Sequence, residues 1–362
     1  MQIIEDRRNL HRIPELGMDL PKTMTYLSEA LASLNCQVFA PMESALCAFF
    51  DFGQPTAIAF RADCDGLPVA EKCENAYISI HPGKMHACGH DGHMAILLEL
   101  ARRLSQKKNL PHNVLLVFQP GEENPGGARF LCETNLFEAY AVKAIFGLHL
   151  WPGAPAGQML SREQELMSRS SEINVDIYGK SSHISKASEG LDALSAAVEF
   201  YRRAMDMEAT LPKHIYRLLK FGYFHSGTVR NALSAHTRLE GSLRAFQDDV
   251  FDTLRQGLDD IAKQIEAETG CAVQVSGTDG YPAVINPPEL YRKIAAIAEV
   301  QSLDEPNMGS EDFAFYQKKL PGIYFFLGIG DTQPLHADRF DFDETILLKG
   351  ADFFEHLAEH FQ

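Results

Sequence analysis

The sequence lacks the marks of a membrane or secreted protein. It has no run of about 18 apolar residues, so it predicts no membrane-spanning helix. The N-terminus is charged from Glu5 onward and has no apolar core, so a signal peptide is not recognisable. The seven cysteines are odd in number and scattered, which is typical of reduced thiols rather than of a disulfide framework. We therefore expect a cytoplasmic protein.

Positive charge is scarce as well. The chain has 33 Lys and Arg against 49 Asp and Glu, which gives a formal net charge of −16. Binding to nucleic acid or to an anionic membrane depends on an excess of basic side chains, so this composition argues against both partners. With 362 residues, of which 45% are hydrophobic, the chain is long enough for two folded domains. The composition does not exclude small, soluble, charged molecules as substrates.

The order of apolar segments predicts two domains of different kinds. Buried strands at Asn113–Gln119 and Ala144–Leu150 alternate with helices, which indicates an α/β domain with a mixed, mostly parallel sheet. After residue 168 the pattern changes to half-buried strands such as Ile173–Ile177 and a long amphipathic helix at Asp248–Thr269. We therefore predict a larger domain formed by residues 1–168 and 282–362, with residues 169–281 inserted as a smaller α+β domain of β-α-β-α-β order.

The densest group of metal-binding residue types is the segment Met85–His93. It holds three histidines, one cysteine and one aspartate, separated by two glycines. The glycines let the backbone bend tightly, so Cys88 and His90 can ligate the same metal ion. The alternative is a polar loop around a buried cysteine, but burying so many thiol and imidazole groups without a metal is costly.

Two adjacent carboxylates, Glu122 and Glu123, follow the buried strand Asn113–Gln119 in a loop rich in proline and glycine. Adjacent carboxylates repel each other unless a positive group holds them. A metal ion would bind one of them, and the other would act as a base. Most such pairs are solvated surface groups, so it is the position directly after a buried strand that favours the functional interpretation.

Two single histidines lie near the ends of other apolar strands. His149 belongs to the end of Ala144–Leu150, and His336 follows the apolar run Ile323–Leu327. A single histidine in such a place is more often a core residue with satisfied hydrogen bonds than a ligand. Neither histidine indicates a metal site by itself.

In combination and in order, these segments resemble the amidohydrolase/carboxypeptidase branch of the M20 metallopeptidase family. That branch includes hippurate hydrolases, indole-acetyl-amino-acid hydrolases and N-acetyldiaminopimelate deacetylases. The similarity covers nearly the whole chain. It also includes the segments His11–Gly17, Arg61–Asp65, Gly179–His183, Gly241–Arg244, Met308–Phe313 and Leu335–Ala337.

The resemblance implies that the larger domain is a catalytic domain with two divalent metal ions. A thiolate ligand favours zinc, while carboxylate and imidazole also suit manganese, nickel or cobalt, and zinc or manganese is our expectation. The implied ligands are Cys88, His90, Glu123, His149 and His336.

The resemblance also implies roles for the carboxylates beside these ligands. Glu122 would be the general base and then the general acid of the reaction. Asp63, or its neighbour Asp65, would orient a metal ligand, and by similarity we favour Asp63.

The inserted domain would be a lid that can also dimerise. Its residues His183, Asn231 and Arg244 match residues that contact substrate in the family. His183 could act within its own chain or in the active site of a partner. The chain departs from the family at Ser181–Ser182, where Gly-Gly is usual. Because this position lies in the lid, the resemblance does not determine which substrate the protein binds.

We therefore expect a metal-dependent amidohydrolase that cleaves the amide bond of N-acyl amino acids, with N-acetyldiaminopimelate deacetylation as one candidate activity. The expected partners are a small N-acyl amino acid or dipeptide substrate and a second copy of the chain, bound through the lid. One alternative is a dipeptidase or aminopeptidase on the same two-metal centre. Another is a non-catalytic metal-binding protein, against which Glu122 argues, because metal storage has no use for a second carboxylate.

Overall fold

The longest apolar runs of the chain form neighbouring strands of one sheet. The computed structural model describes residues 1–362. In chain order the strands are β1 Gln37–Phe39, β2 Leu46–Phe50, β3 Ala57–Asp63, β4 Asn113–Gln119, β5 Val142–Trp151, β6 Met159–Ser161, β7 Gln164–Met167, β8 Arg169–Tyr178, β9 Arg217–Ser226, β10 His236–Ala245, β11 Ala272–Gly277, β12 Val284–Asn286, β13 Gln301–Ser302 and β14 Gly322–Gly328.

Helices alternate with these strands in the first part of the chain. In chain order they are α1 Gln2–His11, α2 Pro21–Leu31, α3 His90–Leu104, α4 Gly127–Glu133, α5 Leu136–Ala139, α6 Ala193–Thr210, α7 Asp248–Thr269, α8 Pro288–Ile297, α9 Ala314–Gln317 and α10 Leu347–His360. Two short 3₁₀ helices lie at Ile184–Glu189 and Glu344–Ile346. None of the helices has both the length and the apolar character needed to cross a membrane.

The chain divides into two units, of which the larger comprises Met1–Leu166, Ile285–Pro306 and Asp312–Gln362. Its eight-stranded sheet has the order β1-β2-β4-β3-β5-β14-β6-β13. The central strands β4, β3, β5 and β14 are parallel, and β2 and β6 join them antiparallel. Every residue of β3, β4 and β14 is buried, which explains why these strands are continuous apolar runs rather than alternating ones. The expected α/β fold with a mixed sheet is therefore confirmed.

The parallel centre of this sheet determines where functional groups can meet. The strands β3 and β4 end at Asp63 and Gln119, and His149 lies two residues before the end of β5. Because the carboxyl ends of parallel strands share one edge of a sheet, the loops that follow these strands gather there. The helix α3 begins at His90 and is buried along most of its length.

The smaller unit comprises Met167–Val284 and Asn307–Glu311. Its antiparallel sheet has the order β11-β8-β10-β9, and α6 and α7 pack on it around a separate hydrophobic core. The unit differs from the predicted β-α-β-α-β order by one additional strand, β9. It is an edge strand with mostly exposed or half-buried residues, so it carries no clear alternation of apolar and polar side chains.

The boundaries of the units differ from the predicted ones by two residues at 167–168 and by three at 282–284, and one further segment belongs to the other unit. The prediction assigned all of residues 282–362 to the larger domain, whereas Asn307–Glu311 belongs to the smaller unit. The Ser168 amide donates to the carbonyl oxygen of Gly309 at 2.8 Å, and the Ser168 hydroxyl donates to that of Met308 at 2.8 Å. These bonds join positions about 140 residues apart, so a sequence pattern does not reveal them.

Candidate metal centre

A left-handed glycine directs the first two candidate ligands toward one point. Gly89 has a φ of 86° and separates Cys88 from His90, the first residue of α3. A side chain at Gly89 would be strained at this φ and would approach Leu150 Cδ1 at 3.3 Å. Cys88 and His90 are both buried. The glycine therefore forms the turn that the sequence pattern predicted.

The five predicted ligands come together at the edge of the central sheet. Cys88 Sγ lies 3.3 Å from His149 Nε2 and 3.3 Å from His336 Nε2, and His336 Nε2 lies 3.2 Å from Glu123 Oε1. Their ligand atoms form overlapping groups whose members all lie within 4.8 Å of one another. These groups are Cys88 with His90 and His149, Cys88 with Glu123 and His336, and His90 with Glu122 and Glu123.

The hydrogen bonds of two buried histidines leave the same ring nitrogen directed at this point. His149 donates from Nδ1 to the carbonyl oxygen of Leu150 at 2.8 Å, and His90 donates from Nδ1 to that of Asp65 at 2.8 Å. When either ring is neutral, its lone pair lies on Nε2, which is the atom a metal ion would bind. Burial opposes the charge of His90, but Asp63 and Asp65 raise its pKa to about 10, so a metal ion would take the place of a proton on that nitrogen. His336 has a φ of 66°, uncommon outside glycine, and its amide donates to the carbonyl oxygen of Ala87 at 2.8 Å.

The donor atoms fit a divalent cation. His90 Nε2 is buried and makes no hydrogen bond, and buried polar atoms without partners are rare. Glu123 Oε1 is also buried, and its neighbour at 3.2 Å is another predicted ligand atom, His336 Nε2. A sulfur and a nitrogen that share a tetrahedral zinc ion would lie about 3.6 Å apart, from bond lengths of ~2.3 and ~2.1 Å. The observed separations of 3.3 Å are close to that value. Cysteine, histidine and glutamate are also the residue types that zinc binds in proteins.

The charges around the cluster also favour a cation. Burial, followed by the negative charges of Glu123 and Glu122, raises the pKa of the Cys88 thiol well above its usual range. Burial likewise raises the pKa of Asp65, and it lowers the pKa of His149 well below its usual range. A positive ion would lower the pKa of the Cys88 thiol again and hold it as a thiolate. His149 is already in the neutral form that a ligand requires.

The two candidate orienting aspartates have different partners. Asp65 accepts the backbone N–H of Glu122 on Oδ1 at 2.9 Å and that of Glu123 on Oδ2 at 3.1 Å. Its carbonyl oxygen also holds His90. Asp63 instead accepts hydrogen bonds from His93 Nδ1 at 2.6 Å and from Arg61 Nη1 at 2.8 Å. His93 is not among the predicted ligands.

A buried polar network behind the cluster was not predicted from the sequence. His93 Nε2 accepts the N–H of Leu150 at 2.9 Å, so both ring nitrogens of His93 are used. Arg61 donates to Gln119 Oε1 and to Asp312 Oδ1, each at 2.8 Å. Asp63 thus connects the Arg61 network to His93, which fixes the backbone beside His149. The segments Arg61–Asp65 and Met308–Phe313 both belong to the family resemblance, but their pairing through Arg61 and Asp312 is visible only in the structure.

The three predicted substrate-binding residues belong to the smaller unit. Arg244 is half-buried and donates from Nη1 to the carbonyl oxygen of Met308 at 2.5 Å. His183 and Asn231 are exposed, and the N–H of Ile184 donates to the carbonyl oxygen of Asn231 at 3.1 Å. The structure thus brings His183 close to Asn231 but not to Arg244, which lies near the other end of β10.

Comparison with known proteins shows which family the chain belongs to. A model of the peptidase family M20/M25/M40 matches residues 59–360. The chain belongs to this family. A relative from Staphylococcus haemolyticus, described as an uncharacterized hydrolase, is 31% identical over 374 residues, which cover 99% of this chain and 98% of that protein.

Two solved structures resemble this M20 protein along nearly its whole length. A protein from methicillin-resistant Staphylococcus aureus, provisionally described as an aminohydrolase, has a TM-score of 0.90 at 27% identity and covers 98% of this chain and 95% of its own. A dinuclear metal-binding peptidase of the M20 family from Bacillus subtilis has a TM-score of 0.86 at 28% identity, with coverage of 99% and 96%. Family membership and the donor cluster together identify a metal-dependent hydrolase.

Proposed function

We propose that this M20 protein is an amidohydrolase that cleaves the amide bond of N-acyl amino acids. The observation that carries the proposal is the position of Glu122. Its carboxylate lies within 4.8 Å of the ligand atoms of His90 and Glu123, on a loop held by Asp65. A protein that only stores metal needs Glu123 but has no need for a second buried carboxylate at this distance.

The five donor residues would hold two divalent ions, of which zinc or manganese suits the set best and nickel or cobalt is also compatible. Such ions would supply Lewis acidity and lower the pKa of a coordinated water toward ~7. A cytoplasmic location is part of the proposal, because a reducing compartment keeps Cys88 in its metal-binding form.

Beside the metal ions, Glu122 would be the residue of this chain that takes part directly in catalysis. A carboxylate oxygen of Glu122 would accept a proton from the attacking water and then deliver it to the leaving nitrogen. Acid–base catalysis of this kind contributes ~10²–10⁴-fold to the rate. Asp65 would act as a positioning residue through its two bonds to the Glu122–Glu123 backbone, and Asp63 would fix His93.

Arg244 would bind the carboxylate of the amino-acid half of the substrate. A guanidinium group offers two parallel N–H bonds to a carboxylate, and Nη1 of Arg244 is already fixed by the Met308 carbonyl. A small acyl group on the other side of the scissile amide would complete the substrate.

His183 and Asn231 would serve the active site of a second chain. In β10, Arg244 pairs with Ser170 of β8, whereas His236 pairs with Tyr178 at the other end of β8. These ends are eight residues apart on β8, which corresponds to about 26 Å along a strand. His183 follows Tyr178 closely, so a small substrate would not span the distance between His183 and Arg244 of the same smaller unit.

The surface of the smaller unit supports a homodimer. On α6 the side chains of Leu194, Val198 and Tyr201 are exposed at helical spacing, and the edge strand β9 exposes Tyr223 and Phe224. An unpaired edge strand beside exposed apolar residues is a favourable surface for a second copy of the chain.

The test is a substrate panel with the metal-reconstituted protein. We expect turnover of N-acyl amino acids, N-acetyldiaminopimelate among them, and little turnover of dipeptides with a free amino group. Glu122→Gln, the matched control, should retain both metals and lose ~10²–10⁴-fold in kcat. Preference for dipeptides would indicate a dipeptidase or aminopeptidase. Normal turnover by Glu122→Gln would refute the role of Glu122.

A further inference from the structure

The segment His11–Met18, called here the N-terminal segment, has no role in the proposed function, yet it contacts several loops of the metal centre. It includes the whole motif His11–Gly17, which is part of the family resemblance. It also lies outside the matched family region, which begins at residue 59. All the contacts described below lie within the larger unit.

The imidazole of His11 is buried between two carboxylates. Its Nδ1 lies 2.8 Å from Asp91 Oδ2, and its Nε2 lies 3.1 Å from Glu71 Oε1. Arg7 Nε donates to the same oxygen of Asp91 at 2.8 Å. Asp91 directly follows His90 at the start of α3. His11 and Arg7 therefore hold the helix turn that presents the ligand His90.

The charge of His11 agrees with this geometry. Burial opposes the charge, but the carboxylates of Asp91 and Glu71 outweigh it and raise the pKa of His11 to about 9. At neutral pH both ring nitrogens then carry protons and donate. A neutral side chain of similar size can satisfy at most one of the two carboxylates as a donor in the same place.

The rest of the N-terminal segment contacts the two carboxylate loops. The carbonyl oxygen of Glu15 accepts the N–H of Gly66, next to Asp65, at 2.7 Å. A side chain on Gly66 would lie 2.9 Å from Pro14 Cβ, so only glycine permits this approach. Met18 Sδ packs against Gly121, the residue before Glu122. One short segment thus touches the loops that carry Asp65 and Glu122, in addition to α3.

We propose that the N-terminal segment is a positioning element of the metal centre and that His11 is its principal residue. By holding Asp91, His11 sets the direction in which His90, and Cys88 two residues before it, present their ligand atoms. The inference rests on the proposed metal site. Residues that support ligands from behind change metal affinity by roughly 10–100-fold when they are replaced.

The experiment measures zinc affinity apart from stability. His11→Gln keeps a polar side chain but breaks the bridge between Asp91 and Glu71. Leu31→Ala, in the buried face of α2, is the control for a simple loss of stability. The zinc dissociation constant is measured by chelator competition at a temperature where each variant is folded, and Tm is recorded in parallel. We expect His11→Gln to bind zinc roughly 10–100-fold more weakly and Leu31→Ala to lower Tm without a change in affinity.

A double variant tests the route through Asp91. If His11 acts through Asp91, His11→Gln adds no further loss of affinity in an Asp91→Asn background. Unchanged zinc affinity of folded His11→Gln, or an equal loss in Leu31→Ala, would overturn the inference. Should His11→Gln not fold, Glu71→Gln, which weakens the other end of the same bridge, decides by the same criterion. A wild-type protein that binds no zinc, manganese, nickel or cobalt would refute the proposed metal site itself, which is a distinct result.

Discussion

The two aspartates at the end of β3 should respond differently to the same substitution. Asp65 accepts the backbone N–H groups of both Glu122 and Glu123, and it is buried. The amide of Asp65→Asn has a single acceptor oxygen, so at least one of the two N–H groups loses its partner and faces another donor. An unsatisfied buried donor costs ~1–3 kcal/mol.

This cost should appear as weaker metal binding, because the affected loop carries the ligand Glu123 and the base Glu122. Since ~1.4 kcal/mol corresponds to a tenfold change, the loss predicts a metal dissociation constant raised roughly 5–150-fold. The value of kcat at saturating metal should fall as well, because the position of Glu122 is no longer fixed. Chelator competition and steady-state kinetics measure the two effects.

Asp63→Asn is the matched comparison, because it changes the same side chain two residues away. Asp63 is paired with Arg61 and His93, both fully buried, so removing its charge disrupts an ion pair inside the protein. Breaking a buried pair from one side costs ~3–5 kcal/mol, and we expect that loss in the free energy of unfolding measured with urea. The reasoning is refuted if Asp65→Asn binds metal normally, or if Asp63→Asn weakens metal binding more than Asp65→Asn does.

Three further predictions concern the dimer and the N-terminal segment. We expect His183→Ala, like Glu122→Gln, to lower kcat strongly, and mixing the two kinds of chain should restore activity, because each mixed dimer would contain one intact site. A verified mixed dimer without activity would place His183 in its own chain's site. Val198→Glu, on the exposed face of α6, should convert the dimer to a monomer by sedimentation analysis while changing monomer stability by less than ~0.5 kcal/mol. The pKa of His11 is raised from 6.5 to about 9 in the folded protein, so its stabilising contribution is complete below pH 6.5 and is lost as the pH rises through about 9. The difference in unfolding free energy between wild type and His11→Gln should therefore shrink over that range, and a pH-independent difference would contradict the ion-pair interpretation.

Elements with a strong local pattern were predicted well. The helix α7 has the predicted bounds because its apolar stripe repeats over 22 residues. The strand β4 also has the predicted bounds, because it is buried on both faces and therefore apolar throughout. The strand β9 was missed because it lies at a sheet edge, where few of its side chains are buried.

The candidate ligands were accessible from sequence because the chemistry of their residue types is concentrated in short segments. Cys88 and His90 lie two residues apart, and Glu122 is adjacent to Glu123. His149 and His336 carried no such signal by themselves, and only the ordered resemblance to the M20 family connected them to the others.

The chain by itself thus determined which residue types were available and which strands and helices would carry them, since burial patterns and loop glycines are local properties. Only the tertiary structure decided how their partners are arranged. Asp65 meets Glu122 across 57 residues, Arg61 meets Asp312 across 251, and His11 meets Asp91 across 80. Asp63 and Asp65 are alike in sequence, and they differ because each meets different buried groups when the sheet brings distant segments to one edge.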